Sequence, residues 1–436
     1  MIIMDTSKKS EHDFSWDIVS AGIRNEKLGL VWLAQPIESD GHLILAGHVE
    51  RGDSATTITV EQAGVPLIKT TAEPGFCCKI PLRQGIYMLS LWHGGERLRQ
   101  WEILSAERRS ASILEKGNLS STEKGEPYAI PGRMGDLFLA GDTNDSVGQF
   151  TENRNLSAAA TAAWSTVFNF LPVWCKKYNL LQSSLLIAPA KEEIRRDYYP
   201  FPRASRTLLD DFITRFRDRG VIFPKWELWG RRDLAWSYTD THWTDYGATV
   251  AAGAVLKAWG LSTDGLPVLF TVRQRIGDLG IKVSPNVASH ELCFMPEVET
   301  LKVFDNGIAN HGNIRIYRNS SAPLKNRLLI FGDSFGTNLT EAFSGVFSDV
   351  TYAYQPAGFD PDLVEIIRPQ HVLLQITQRF LHGHPATYSS VIEMAKRKIS
   401  AMPTELRCEF LKRLTRSLPH YDSLINSIII RLINKK

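Results

Sequence analysis

"RLLIFGDSFGTNLTEAF", residues 327–343, runs from an unbroken apolar stretch through Gly-Asp-Ser into a segment of helical character that extends to about residue 346. A continuous apolar run of this kind reads as a strand buried on both faces, as in parallel sheets covered by helices. Gly332 is expected to allow a sharp turn, so that Ser334 sits at the rim of the sheet with its hydroxyl exposed. In open α/β sheets, reactive groups collect beyond the carboxyl ends of the strands, where helix N-termini point unpaired N–H groups. Backbone N–H groups of Ser334 and its neighbours are therefore candidates to face a developing oxyanion. Taken alone, Gly-Asp-Ser also fits an ordinary turn of small residues.

The same alternation recurs on either side. Strand candidates lie at 136–141, 183–190, 220–224, 349–354 and 371–376, and helical segments at 156–179, 204–219, 245–259 and 361–368. This pattern predicts an α/β domain over 128–387, with a parallel sheet covered on both faces. Residues 265–326 are mixed and give no secure order. Upstream, residues 28–104 hold short alternating runs separated by Gly, Asp and Pro, which predict a small antiparallel β-sandwich. The polar stretch 105–127 reads as a linker. The segment 388–436 is a basic helical tail, with ten Lys or Arg against four acids from residue 391 onward. It suits a membrane surface, a protein partner, or a docked helix with a solvated charged face.

A chain of 436 residues exceeds what a single core usually supports, so two domains are expected. With 43% hydrophobic and 22% charged residues it is of globular type. A formal net charge of +3 offers no field for a phosphate backbone, and nucleic acid is excluded as a partner. The five cysteines are an odd set whose one close pair, Cys77 and Cys78, lacks metal-ligand spacing, so neither a disulfide framework nor a zinc site is expected. The opening residues have no apolar core or cleavage site of a signal peptide, and no apolar run reaches ~18 residues. These features point to the cytoplasm, or to the periplasm if the natural start lies further upstream.

A serine at its normal pKa needs a base. "SYTDTHWTDYGA", residues 237–248, supplies one: Asp240 and His242 stand two apart, on one face of an extended segment. The carboxylate can then orient the imidazole and stabilise it once protonated. Thr244 is placed to cap the following helix, with Asp245 in its first turn. The bland alternative is a satisfied turn histidine beside a packed Trp243.

Secondary candidates stand at other strand ends. Asn144 could offer an amide to an oxyanion or substrate, or serve its turn. Lys191 and Arg379 could meet an anionic sugar or phosphate, and Trp243 is a further substrate-side candidate. His382 and His384 are rival bases without an orienting acid, and Asp240, His242 and Asp245 form a conceivable metal set short of a second histidine. In the front domain Trp32, Trp92 and Trp101 could line a glycan platform, although at strand spacing such residues are more often core.

Together, "TDTHWTDYGA" and "IFGDSFG" resemble the SGNH-hydrolase-like domain of the alginate O-acetyltransferase family, in which Asp-x-His-Trp precedes Gly-Asp-Ser-Phe. "GDLFLAGDTND", "LLIAPAKEEIRRDYYP" and "RPQHVLLQITQRFL" agree in order, so the resemblance covers about 133–382. It implies a three-layer SGNH-like, flavodoxin-like fold. It also implies Ser334 as nucleophile, His242 as general base and acid, and Asp240 as orienter, with acetyl groups passing through an acetyl-serine to hydroxyls of a bacterial polysaccharide. No cofactor is implied beyond an acetyl donor, and no metal. The sequence departs from the family at Asp136, where a tryptophan is usual, and in lacking an export signal. An O-acetylesterase with the same triad, or a non-catalytic glycan-binding scaffold, are the competing expectations.

Overall fold

A computed structural model describes the chain except for residues 1–22, 26–28, 34–36, 40–41, 50–51, 63–64, 73–74, 82–84, 106–126, 133–134, 284–285, 384, 386–389 and 434–436. The chain divides into two compact units, Met1–Glu107 and Arg108–Lys436. The expected linker at 105–127 falls almost wholly outside the described residues.

In the first unit the alternating runs form two antiparallel sheets, one of five strands and one of four. Inward residues of both sheets, among them Leu45, Val49, Cys78 and Ile80 from one and Ile58, Val60, Leu89 and Leu91 from the other, make a single core. Trp92 donates its indole N–H to Thr59 Oγ1 at 3.0 Å and lies under the Arg97 guanidinium. The side chains of Trp32 and Trp101 lie outside the described residues.

The second unit is built on a mixed seven-stranded sheet. Its strands are β1 (Gln182–Ala188), β2 (Val221–Ile222), β3 (Lys302–Asp305), β4 (Ile314–Arg318), β5 (Leu324–Gly332), β6 (Phe347–Tyr354) and β7 (His371–Thr377). Their order across the sheet is β2-β1-β7-β5-β6-β4-β3. The first five are mutually parallel; β4 and β3 close one edge antiparallel. One expectation is corrected here, and one stretch without a reading is placed. The segment 136–141 does not join this sheet: Leu137–Ala140 pairs antiparallel with Tyr128–Pro131. The unordered stretch 265–326 supplies β3 and β4, and also the hairpin Phe270–Arg275 with Ser289–Phe294.

Alternate residues of the central strands enter two different cores, as the period of two requires. Leu185, Ile187, Leu329, Phe331, Val372 and Leu374 face one, Leu186, Ala188, Leu328, Ile330 and Leu373 the other. On the first face lie α1 (Ala158–Tyr178), α2 (Leu208–Phe216) and α5 (Pro361–Ile367); on the second, α3 (Asp245–Ala258) and α4 (Phe335–Ser344). Local sequence fixes the helix starts: Ser157 caps α1, and α2 opens on a capping box of Thr207 and Asp210.

The basic tail forms α6 (Val391–Ala401), α7 (Thr404–Ser417) and α8 (Ser423–Ile433). Ile425, Ile428, Ile429 and Leu432 of α8 are buried in the first core, so its apolar stripe packs on the domain and is not free to lie on a membrane. No helix among the described residues is long and apolar enough to cross one.

Candidate functional site

The turn carrying Ser334 is anchored from beneath. Asp333 is fully buried; its carboxylate accepts from Phe335 N at 3.0 Å, Gln375 Nε2 at 2.9 Å and Thr377 N at 2.6 Å, tying the end of β5 to β7. Its carbonyl accepts the Tyr352 hydroxyl at 2.7 Å. Gly332 is required for a different reason from the one expected. A Cβ there would come within 2.4 Å of Gln375 Oε1, so close approach and not turn geometry selects glycine.

The loop carrying His242 is equally fixed. Trp236 and Trp243 bridge as an antiparallel pair, Thr244 N donates to Ala235 O at 2.9 Å, and the Thr244 hydroxyl caps α3 through Gly247 N at 3.1 Å. Below it lies a buried charge network. Lys191 Nζ donates to the carbonyls of Leu137 (2.8 Å), Ser237 (2.7 Å) and Tyr238 (2.9 Å), and stands 3.3 Å from Asp136. Arg195 grips the same Asp136 with two nitrogens, at 2.8 and 2.6 Å, and Asp233 with a third at 2.9 Å. Asp136 is thus one pole of an ion network holding Ser237 and Tyr238, just ahead of Asp240.

On these supports the two distant turns meet. Asp240 Oδ1 lies 2.7 Å from His242 Nδ1 and also accepts His242 N at 2.8 Å, while His242 Nε2 lies 2.7 Å from Ser334 Oγ. With Nδ1 donating to the carboxylate, Nε2 is left to accept the serine hydroxyl. Burial pushes the Asp240 carboxyl up, but the hydrogen bond and charge of His242 and the backbone N–H groups of His242 and Asp278 outweigh it and hold the carboxyl at about 2. Burial pulls the His242 imidazole down; Asp240, by hydrogen bond and charge, and Asp278, by charge, more than reverse this and raise it. A base must be neutral to act. Activity is therefore expected to rise with pH along a limb centred above the ordinary histidine value of 6.5, and a pH–rate profile with its acid limb below that value would contradict the assignment.

The backbone donors are fewer than the sequence suggests. Phe335 N is taken by the Asp333 carboxylate, Gly336 N by Asp333 O and Thr337 N by Ser334 O. Tyr354, at the end of β6, is hydrogen-bonded to both the backbone N–H and the side chain of Ser334; burial, then the Asp333 charge, raises its phenol, so it keeps its proton. The Ser334 N–H itself donates to the Tyr354 phenol oxygen, so a carbonyl oxygen arriving at Ser334 meets this N–H and the phenol by displacing that contact.

The secondary candidates divide. Arg379 acts electrostatically on His242, and Gln149 Nε2 ties its carbonyl (2.8 Å) to that of Asn144 (2.7 Å), so both belong to this corner. Lys191 is corrected: it is 3% exposed, spends its donors on backbone carbonyls, and burial lowers its ammonium to about 8, so it holds the loop and meets no ligand. Trp243 is corrected too, being buried with its indole on Phe335 O at 3.2 Å. His382 is exposed, and its ring nitrogen rests on Arg379 O at 2.9 Å, not on a carboxylate; His384 lies outside the described residues. Asp245 does not face the imidazole, since it accepts from Phe294 N and Asn338 Nδ2. The second carboxylate near His242 is Asp278, and one side-chain nitrogen or oxygen from each of Asp240, His242 and Asp278 lies within 4.8 Å of the others.

Sequence reasoning missed Tyr354 and Asp278. Tyr354 ends a strand that was read correctly, and the strand-end rule would have flagged it. Asp278 sits in the stretch 265–326, whose mixed pattern gives no secure order.

The second unit is thus a mixed α/β domain with a Ser-His-Asp constellation at the carboxyl edge of its parallel strands. No protein-family model and no curated protein sequence matches the chain. Solved structures similar to it include the O-acetyltransferase domain of Pseudomonas putida AlgJ, at 17% identity and TM-score 0.38 over 65% of this chain and 99% of that one. A DHHW family protein from Eubacterium siraeum matches at 14% identity and TM-score 0.40, over 61% and 100% of the two chains. Bacillus cereus PatB1 matches at 12% identity and TM-score 0.43, over 59% and 98%. These likenesses are remote, and the chemical reading rests on side-chain geometry.

Proposed function

We propose that the protein is an O-acetyltransferase that carries an acetyl group on Ser334 and delivers it to hydroxyls of a bacterial polysaccharide or glycan precursor, using a three-layer SGNH-like domain preceded by a β-sandwich. The observation that carries this reading is the unbroken line Asp240–His242–Ser334, with both contacts at 2.7 Å. Ser334 Oγ attacks the donor's acetyl carbonyl as His242 Nε2 takes the hydroxyl proton. The resulting oxyanion is met by the Ser334 N–H and the Tyr354 phenol. Collapse expels the donor's leaving group, which takes the proton back from His242. A sugar hydroxyl then repeats the sequence, giving its proton to His242 and releasing Ser334 Oγ, which recovers that proton. Arg379 and Asn144 line the acceptor side in this scheme.

Incubation with an acetyl ester, with and without oligosaccharide, followed by mass analysis tests the proposal. Transfer predicts acetyl-Ser334 alone in the first case and acetylated sugar in the second; release of free acetate at the same rate in both would make the protein an esterase. Failure to label Ser334 at all, with glycan binding retained, would make it a scaffold. Tyr354→Phe is expected to slow acylation about a hundredfold with the protein still folded, and an unchanged acylation rate would remove the phenol from the oxyanion site.

A further inference from the structure

The segment that follows Phe270–Arg275 closes over the base-bearing loop as a clip. Gly277 N donates to Thr239 Oγ1 at 3.2 Å, and Leu279 N and Gly280 N both donate to Thr239 O, at 3.0 and 2.9 Å. The fit leaves no space for a side chain at Gly277, whose Cβ would stand 2.1 Å from Thr239 O and 2.7 Å from Asp240 Cβ. Between these anchors stands Asp278. Its Oδ1 accepts Thr241 N at 2.7 Å and its Oδ2 accepts the Thr241 hydroxyl at 2.6 Å. Its own N–H donates to Asp240 Oδ2 at 3.2 Å, and its carboxylate stands 4.0 Å from His242 Nδ1.

We infer that Asp278 is a positioning residue for the base, pinning Thr241 between the two triad residues of the loop and setting a second negative charge beside the His242 ring. This role rests on the reading of His242 as general base. Each half-reaction creates an imidazolium. The charged groups that face it are Asp240 from its own loop, Asp278 from the clip and Arg379 from beyond β7, with Lys191 and Glu291 acting on Asp240 from behind. One carboxylate is partly countered by Arg379; the second restores a net negative surrounding. The three hydrogen bonds add a mechanical component, because Thr241 cannot shift without moving His242. Burial, and then repulsion from Asp240, raise Asp278's own carboxyl, as two acids sharing one imidazole require.

The test is Asp278→Asn, which keeps the side-chain size and can still accept Thr241 N–H while removing the charge. Titration of the His242 ring by NMR should give a lower pKa in the variant than in the wild type, because the protonated ring has lost a stabilising charge. The acid limb of the acylation rate should move to lower pH in step, and kcat on the plateau should fall about tenfold with KM for the acetyl ester little changed. Asp278→Glu, which retains the charge, should restore the wild-type limb. Loss of activity with an unmoved His242 pKa in folded Asp278→Asn would overturn the inference and leave Asp278 a loop residue, as would a Glu variant that titrates like the Asn one. A wild-type protein that never acylates Ser334 would instead sink the transferase reading, while the ring titration would still report on Asp278.

Discussion

Ser334→Ala is expected to abolish acyl transfer, with a loss of at least ~10⁴-fold, and to leave the unfolding transition in place. The separation follows from how the turn is held. The groups that fix it are the Asp333 carboxylate, Gln375 and Tyr352, none of which touches Ser334 Oγ. The hydroxyl's one side-chain relation to the base is the 2.7 Å contact with His242 Nε2, which the methyl of alanine removes without a clash. Mass analysis after exposure to an acetyl ester reads the result directly. Transfer that survives in a folded Ser334→Ala protein would put the nucleophile elsewhere.

The largest effect on stability is expected at Arg195. It is wholly buried and neutralises Asp136, also wholly buried, and the nearly buried Asp233. Arg195→Leu would leave Asp136 with only the 3.3 Å contact to Lys191, and Asp233 without its cation. Breaking one side of a buried ion pair typically costs about 3–5 kcal/mol, since the remaining charge stays desolvated. A urea denaturation curve should show a midpoint lowered accordingly. The loss should also reach the chemistry, because Lys191 and Asp136 hold the strand of backbone that leads into Asp240. A midpoint near that of the wild type would mean that this corner admits water readily and that the network does not bear on the loop.

Much of the second unit was legible in the sequence because its central strands are unbroken apolar runs with nothing else they can become. Residues 327–332, 349–354 and 371–376 are strands where expected, and the helices after residues 244, 334 and 360 begin within a residue or so of their signals. The turn pair was legible for a local reason: an i, i+2 spacing fixes Asp240 against His242 whatever the rest of the chain does. The edges were not legible. Leu137–Ala140 has a strand's composition, but composition does not say which sheet a strand joins, and here Tyr128–Pro131 pairs with it first. β3 and β4 are short and half polar because they close an edge, so they carry no run long enough to read. Lys191 was misread because a cation at a strand end is ordinarily solvated; its burial depends on Asp136, Ser237 and Tyr238, which are remote in sequence and adjacent only in the fold. Asp278 was invisible for the same reason.

The docking of α8 has a practical corollary for anyone preparing the second unit by itself. A gene fragment stopped at residue 387, where the sequence pattern alone would draw the boundary, would strip the four aliphatic side chains of α8, and with them Val391, Ile392, Ile399, Phe410 and Leu414, off the core that Leu363 and Val364 also line. Each such side chain is worth about 2 kcal/mol of burial. The shortened polypeptide should therefore be recovered as aggregate, whereas one that runs through Ile433 should stay in solution.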